Sequence, residues 1–112
     1  GAATWHRGRK LVVALCVSGI AHVVAASLYA LAYGAGRVLG IGDLSSETPA
    51  SAMDVFYFSL VSYTSLGLGD IVPTGHLRLI AGVEALNGFL LISCSAAMLF
   101  LFMMDEDKAK SP

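Results

Sequence analysis

Residues 64–70 read Thr-Ser-Leu-Gly-Leu-Gly-Asp, and the chemistry lies in the main chain more than in the side chains. Gly67 and Gly69 alternate with Leu66 and Leu68. Glycine takes positive φ at no steric cost, so alternate residues can turn the same way and successive carbonyls can face one axis. The two leucines then point away from that axis, into protein. A row of carbonyl oxygens on a common axis replaces the water that a cation sheds. One chain supplies one side of such a ring, so several copies must gather around a symmetry axis.

The elements that position this stretch are apolar. Leu11–Tyr33 carries no formal charge across 23 residues; as a helix it spans roughly 34 Å, enough to cross a hydrocarbon core of about 30 Å. A second apolar run follows Arg78 and ends at the charged tail that begins with Asp105. No signal-peptide cleavage pattern follows the first run, which is read as retained. Between the runs, residues 34–51 are rich in Gly, Ser and Pro and read as an exposed loop. Residues 51–64 are amphipathic and too short to span, with Ser51 and Asp54 at capping-box spacing. A short apolar segment of this kind reads as re-entrant. A lipid-exposed irregular backbone would leave polar groups unsatisfied at several kcal/mol each, so the glycine stretch must be enclosed by protein or line water.

Composition supports the same class. The chain is 56% hydrophobic and 13% charged, against about 25% charged in ordinary soluble domains. A net charge of −1 gives no bulk signal for nucleic acid. Cys16 and Cys94 lie inside the apolar runs and read as small hydrophobes. No metal-ligand cluster, nucleophile–base pair or carboxylate pair is evident, so an enzyme is excluded, and a lone Gly-x-Gly is too little for a nucleotide loop. Arg7, Arg9, Lys10, Lys108 and Lys110 flank the runs, whereas only Arg37 and Arg78 lie between them. The positive-inside rule then places both termini in the cytoplasm and the middle outside.

Thr64–Asp70 resembles the selectivity filter of the potassium-channel pore family, usually Thr-Thr-Val-Gly-Tyr-Gly-Asp, and the resemblance extends over nearly the whole chain. It implies an all-α membrane protein with two transmembrane helices and a re-entrant pore helix, assembled as a homotetramer in the cell membrane. The expected divisions are a cytoplasmic segment (1–10), outer helix (11–33), turret (34–51) and pore helix (52–64), then filter (65–70), outer loop (71–78), inner helix (79–104) and cytoplasmic tail (105–112). The implied function is conduction of K⁺ down its gradient, with no cofactor beyond the permeant ion. Partners would be the chain's own copies and the bilayer, without nucleic acid. Thr64, Ser65, Leu66, Gly67, Leu68 and Gly69 would form the ion path, and the Ser65 hydroxyl would help build its innermost site. Asp70 would stand behind the outer mouth, with Tyr57 and Glu84 as further filter support. Gly88 falls where the family commonly has a hinge glycine. Leu68 replaces the usual Tyr and cannot donate a hydrogen bond; Val61 stands where a Glu is often found. These departures keep a weakly selective Na⁺/K⁺ channel in view, and a non-conducting two-span accessory subunit is the alternative from another class.

Single residues complete the expectations. Glu84 is an acid within the second run, where burial of its charge costs at least about 2.5 kcal/mol; it is expected to brace the filter through Ser62, Tyr63 or nearby backbone, or to be protonated. Asn87 is expected to bond across helices, and His22 to sit as a neutral, hydrogen-bonded histidine. His76, just outside the filter, is a better candidate for proton sensitivity than His22, although a plain loop residue is the favoured reading. Phe89, Ile92, Ala96 and Phe100 share one helical face, assigned by analogy to the cavity, with Phe100 and Met104 as a hydrophobic gate. Trp5, Tyr29 and Tyr33 fit interfacial anchoring.

Overall fold

A computed structural model describes the backbone of residues 2–110 and the side chains of residues 4–105. Two long helices and one short one make up the architecture: α1 (Ala2–Leu39), α2 (Ala52–Tyr63) and α3 (Leu77–Lys110). Two short strands, β1 (Leu44–Ser45) and β2 (Val72–Pro73), pair antiparallel with Leu44 opposite Pro73 and Ser45 opposite Val72. The expected tail at 105–112 is helical as far as Lys110; its last two residues and the side chains of 106–112 lie outside the described residues.

Both long helices run further than the apolar patterning predicts. α1 includes residues 2–10, where the Arg9 guanidinium lies 5.5 Å from the Trp5 ring centre, one turn away. At its other end α1 continues through Gly34 and Gly36, which sequence punctuation assigns to the turret. A Cβ at Gly36 would meet Leu77 Cδ2 at 2.6 Å, so this glycine marks close packing of α1 on the start of α3. The helix stops at Gly40, whose φ is +75°. Gly40 N–H donates to Arg37 O and Ile41 N–H to Gly36 O, the bond pattern of a Schellman cap. α3 begins at Leu77, two residues before the expected start.

α2 starts as the capping box predicts. The Ser51 N–H donates to Asp54 Oδ2 at 2.9 Å, and the Asp54 N–H donates to Ser51 Oγ at 3.3 Å. It ends in a second cap of the same pattern: Ser65 N–H donates to Ser62 O and Leu66 N–H to Val61 O. The left-handed position of that cap, normally glycine, is taken by Ser65 at φ +59°.

A small core holds these pieces at the turret end. Tyr33, Val55, Phe58, Ile71 and Leu77 pack together with Leu44, and the Tyr33 and Phe58 rings meet edge to face at 5.1 Å. The rest of α1 and α3 presents large apolar side chains outward, among them Val12, Ile20, Leu31, Leu86 and Leu101. Their most apolar windows are only 6% buried within the chain. Two helices of this length and hydropathy with so little internal cover are membrane spans.

The turret is tied down rather than free. Thr74 N–H donates to Asp43 O at 2.8 Å, and the Asp43 N–H donates to Thr74 Oγ1 at 3.0 Å. Arg37 Nε donates to Asp43 Oδ1 at 2.9 Å. The Leu44 N–H and the Arg37 guanidinium hold the Asp43 carboxyl below the ordinary carboxylate range. A carboxyl depressed in the folded state contributes stability above its ordinary pKa and loses it as pH falls through the depressed value. Hydrogen-exchange protection of the Leu44 amide, corrected for intrinsic rate, is therefore expected to hold from neutral pH to about pH 4 and to fall below it.

Candidate ion-path site

The filter segment leaves the cap of α2 with an alternating backbone. Ser65, Gly67 and Gly69 take φ of +59°, +60° and +80°, while Leu66 and Leu68 between them stay at negative φ. This is the backbone condition for carbonyls that turn to one side. Two of the three left-handed positions are legible as glycine; the third, Ser65, carries no glycine signal. Thr64 Oγ1 donates back to Leu60 O at 2.9 Å, inside its own helix. Ser65 Oγ donates to the Ala85 carbonyl of α3 at 3.2 Å. Its proton is committed there, and its lone pairs stay available to a cation.

Residues 64–70 are all exposed in the single chain, including Leu66 at 62% and Leu68 at 57%. Leu68 borders an apolar cleft behind the segment with Phe58, Val61, Pro73 and Ala81. It therefore offers packing where a tyrosine would offer a hydrogen bond. Asp70 borders a second cleft with Asp54, Tyr57 and Gly69. A side-chain hydrogen bond to Asp70 raises the Tyr57 phenol above its ordinary range.

Behind the filter, the three helices are joined by polar side chains rather than by a continuous apolar core. Glu84 is fully buried and contacts Tyr33 and Ser59. That corrects the expectation of Ser62 or Tyr63 as its hydrogen-bond partners: Glu84 lies beside the middle of α2, one turn before the filter. It also corrects Tyr33, which is fully buried and bonded, not an interfacial anchor. Asn87 Nδ2 donates to the Tyr29 hydroxyl at 3.0 Å, the expected bond across helices. His22 bridges two elements, with Nδ1 2.7 Å from the Tyr63 hydroxyl and Nε2 2.8 Å from Ser95 Oγ. Ser59 and Ser95 escaped the sequence reading, as did the role of Tyr33 as a partner of Glu84. The available signal was the spacing of His22, Tyr29 and Tyr33, which puts three polar rings along one face of α1.

Gly88 is placed against the end of α2. A Cβ there would lie 2.0 Å from the Tyr63 carbonyl oxygen and 3.0 Å from its Cα. Only a bare Cα lets α3 approach the residue that precedes Thr64.

A family model described as ion channel matches residues 10–105, which include both spans, α2 and the filter segment. The chain belongs to the ion-channel family. The match bears out the resemblance to the potassium-channel pore family. This channel chain is also 32% identical over 81 residues to the inward rectifier potassium channel Kirbac3.1 of Paramagnetospirillum magnetotacticum. The aligned region covers 70% of this chain and 26% of that relative, so the chain spans about a quarter of the relative's length. No solved structure matches.

Within the channel chain, α3 has two distinct sides. Glu84, Gly88, Ser95 and Phe102 turn toward α1 and α2. Phe89, Ile92, Ala96, Phe100 and Met104 are exposed in the single chain, Phe89 and Phe100 at about 60%. His76 is exposed six residues past Asp70, and its backbone N–H donates to Ile41 O in the turret at 2.9 Å.

Proposed function

We propose that four copies of this chain assemble around the filter segment and conduct K⁺ through rings of backbone carbonyls from Ser65, Leu66, Gly67 and Leu68. The observation that carries the reading is the alternation of left-handed and ordinary backbone at 65, 67 and 69. Carbonyl oxygens turned to one axis replace the hydration shell of a cation, and copies around the axis close the ring. Exposure of Leu66 and Leu68 supports assembly. Each leucine is already partly covered within its own chain, so full cover by a neighbour contributes roughly 1–2 kcal/mol. The exposed face of Phe89, Ile92 and Ala96 then lines the cavity below the filter, with Phe100 and Met104 at its narrow end. Both termini lie in the cytoplasm, by the charge asymmetry of the flanks.

Asp70 and Tyr57 support the outer mouth, and the α2 C-terminus directs its negative dipole end toward the cavity, which favours a cation. A second reading, weaker discrimination between K⁺ and Na⁺, is favoured by Leu68, which gives the filter packing but no hydrogen bond to α2. Native mass determination in detergent tests assembly, with four chains per particle expected. Potassium flux into liposomes from the same preparation tests conduction, and a monomer or dimer without flux overturns the proposal. Phe100→Ala is expected to raise open probability by widening a dewetting constriction; unchanged single-channel records would remove Phe100 from the gate.

A further inference from the structure

Glu84 of α3, Tyr33 of α1 and Ser59 of α2 are each fully buried. Three oxygen–oxygen contacts join them. The Tyr33 hydroxyl is 2.6 Å from Glu84 Oε1, Ser59 Oγ is 2.7 Å from Glu84 Oε2, and Ser59 Oγ is 2.5 Å from the Ala26 carbonyl. Oxygens at these separations share a proton. The Ala26 carbonyl has none to give, so Ser59 donates there. A serine hydroxyl has one proton, so Ser59 can only accept from Oε2. That oxygen must therefore carry a proton itself, while Tyr33 donates to Oε1. With one acceptor to each proton, no other assignment satisfies all three contacts. An ionised Glu84 would leave two acceptors facing each other at one of the Ser59 contacts, with the charge buried and unpaired.

We propose that Glu84 works as a neutral carboxylic acid, its proton completing a clamp between the outer, pore and inner helices, and that it lends no charge to the permeating ion. The titratable groups that face it are Tyr33 from α1 and Tyr63 from α2, with Tyr29 of α1 beside both tyrosines. No cation figures among its partners in the described residues. One link further on, Tyr63 is held by His22. The clamp positions α2, and α2 carries the filter. Glu84 is thus a positioning residue whose useful form is uncharged. The proton assignment stands on the fold alone; only its flux consequence rests on the channel reading.

The test is infrared difference spectroscopy of the full chain in lipid at neutral pH, wild type against Glu84→Gln. A protonated-acid carbonyl stretch in the wild type that disappears in E84Q is expected. Loss of a carboxylate band instead would overturn the proposal. Glutamine keeps the pattern, accepting from Tyr33 and donating to Ser59, at the expense of one idle N–H. E84Q should therefore assemble and retain potassium flux within about twofold, whereas Glu84→Ala, which leaves Tyr33 and Ser59 without their partner, should lose tenfold or more. An assembled E84Q channel with tenfold lower flux would show that the charge is used and overturn the proposal. If E84Q does not assemble, Ser59→Ala decides: the acid loses its acceptor, so its carbonyl stretch should shift to higher frequency. An unchanged band there would also overturn the assignment. If the wild type carries no flux, the channel reading fails and the infrared result still decides the clamp.

Discussion

Gly67→Ala is expected to abolish ion flux while leaving the protein assembled. Gly67 sits at φ +60° with nothing of its own chain within 4 Å of where a Cβ would lie, so alanine meets no steric block within the subunit. The penalty is conformational. Holding an L-residue in the left-handed region costs roughly 1–2 kcal/mol. Acting in four proposed subunits at once, that is about 4–8 kcal/mol, or roughly three to six decades in the population of the intact carbonyl ring. The relaxed alternative rotates the adjoining peptide and turns a carbonyl away from the axis. Because the space around Gly67 within the subunit is open, the fold of each subunit should keep its thermal stability. Liposome flux and a melting curve on the same sample check both halves. Flux close to wild type would mean that the left-handed backbone at 67 is not what conducts.

The second large effect is expected at Gly88, and here stability and flux should fall together. A methyl at this position enters the space of the Tyr63 carbonyl, a backbone atom that cannot swing aside as a side chain would. Either α3 retreats or the end of α2 shifts, and the filter begins at Ser65, two residues after Tyr63. Overpacking of this kind costs about 1–3 kcal/mol per chain, and the proposed tetramer would carry that cost in every subunit. Gly88→Ala is therefore expected to lower the melting temperature of the assembled protein and to reduce flux, with Gly88→Val failing to assemble. If Gly88 serves only as a hinge, G88A would melt like the wild type and differ only in how often it opens. Thermal melts of G88A separate the two roles.

The long apolar runs, the capping box at Ser51 and Asp54 and the glycine alternation were legible because each is a local pattern. A helix crossing lipid must be apolar over a fixed length, and a backbone at positive φ advertises itself through glycine. What escaped depends on contacts between distant segments. Gly34 and Gly36 look like loop punctuation, yet they lie in α1, and Gly36 makes room for Leu77. Ser65 takes a left-handed turn because the hydrogen bonds of the α2 cap require one there, and nothing in a serine announces that. The two-residue strands hold by pairing with each other across 26 intervening residues, too short to leave any alternation. Glu84 was visible as an acid in an apolar run, but its partners are 51 and 25 residues away in sequence. Tyr33, read as an anchor at the interface, is instead one of those partners.

The central claim is that carbonyl oxygens from residues 65–68 select and pass K⁺. Its most direct test is the reversal potential of the purified protein in a planar bilayer with K⁺ on one side and Na⁺ on the other. A potential close to the K⁺ equilibrium value is predicted. A potential near zero would contradict selection by the carbonyl rings, and the absence of any current from a stably assembled tetramer would contradict conduction itself.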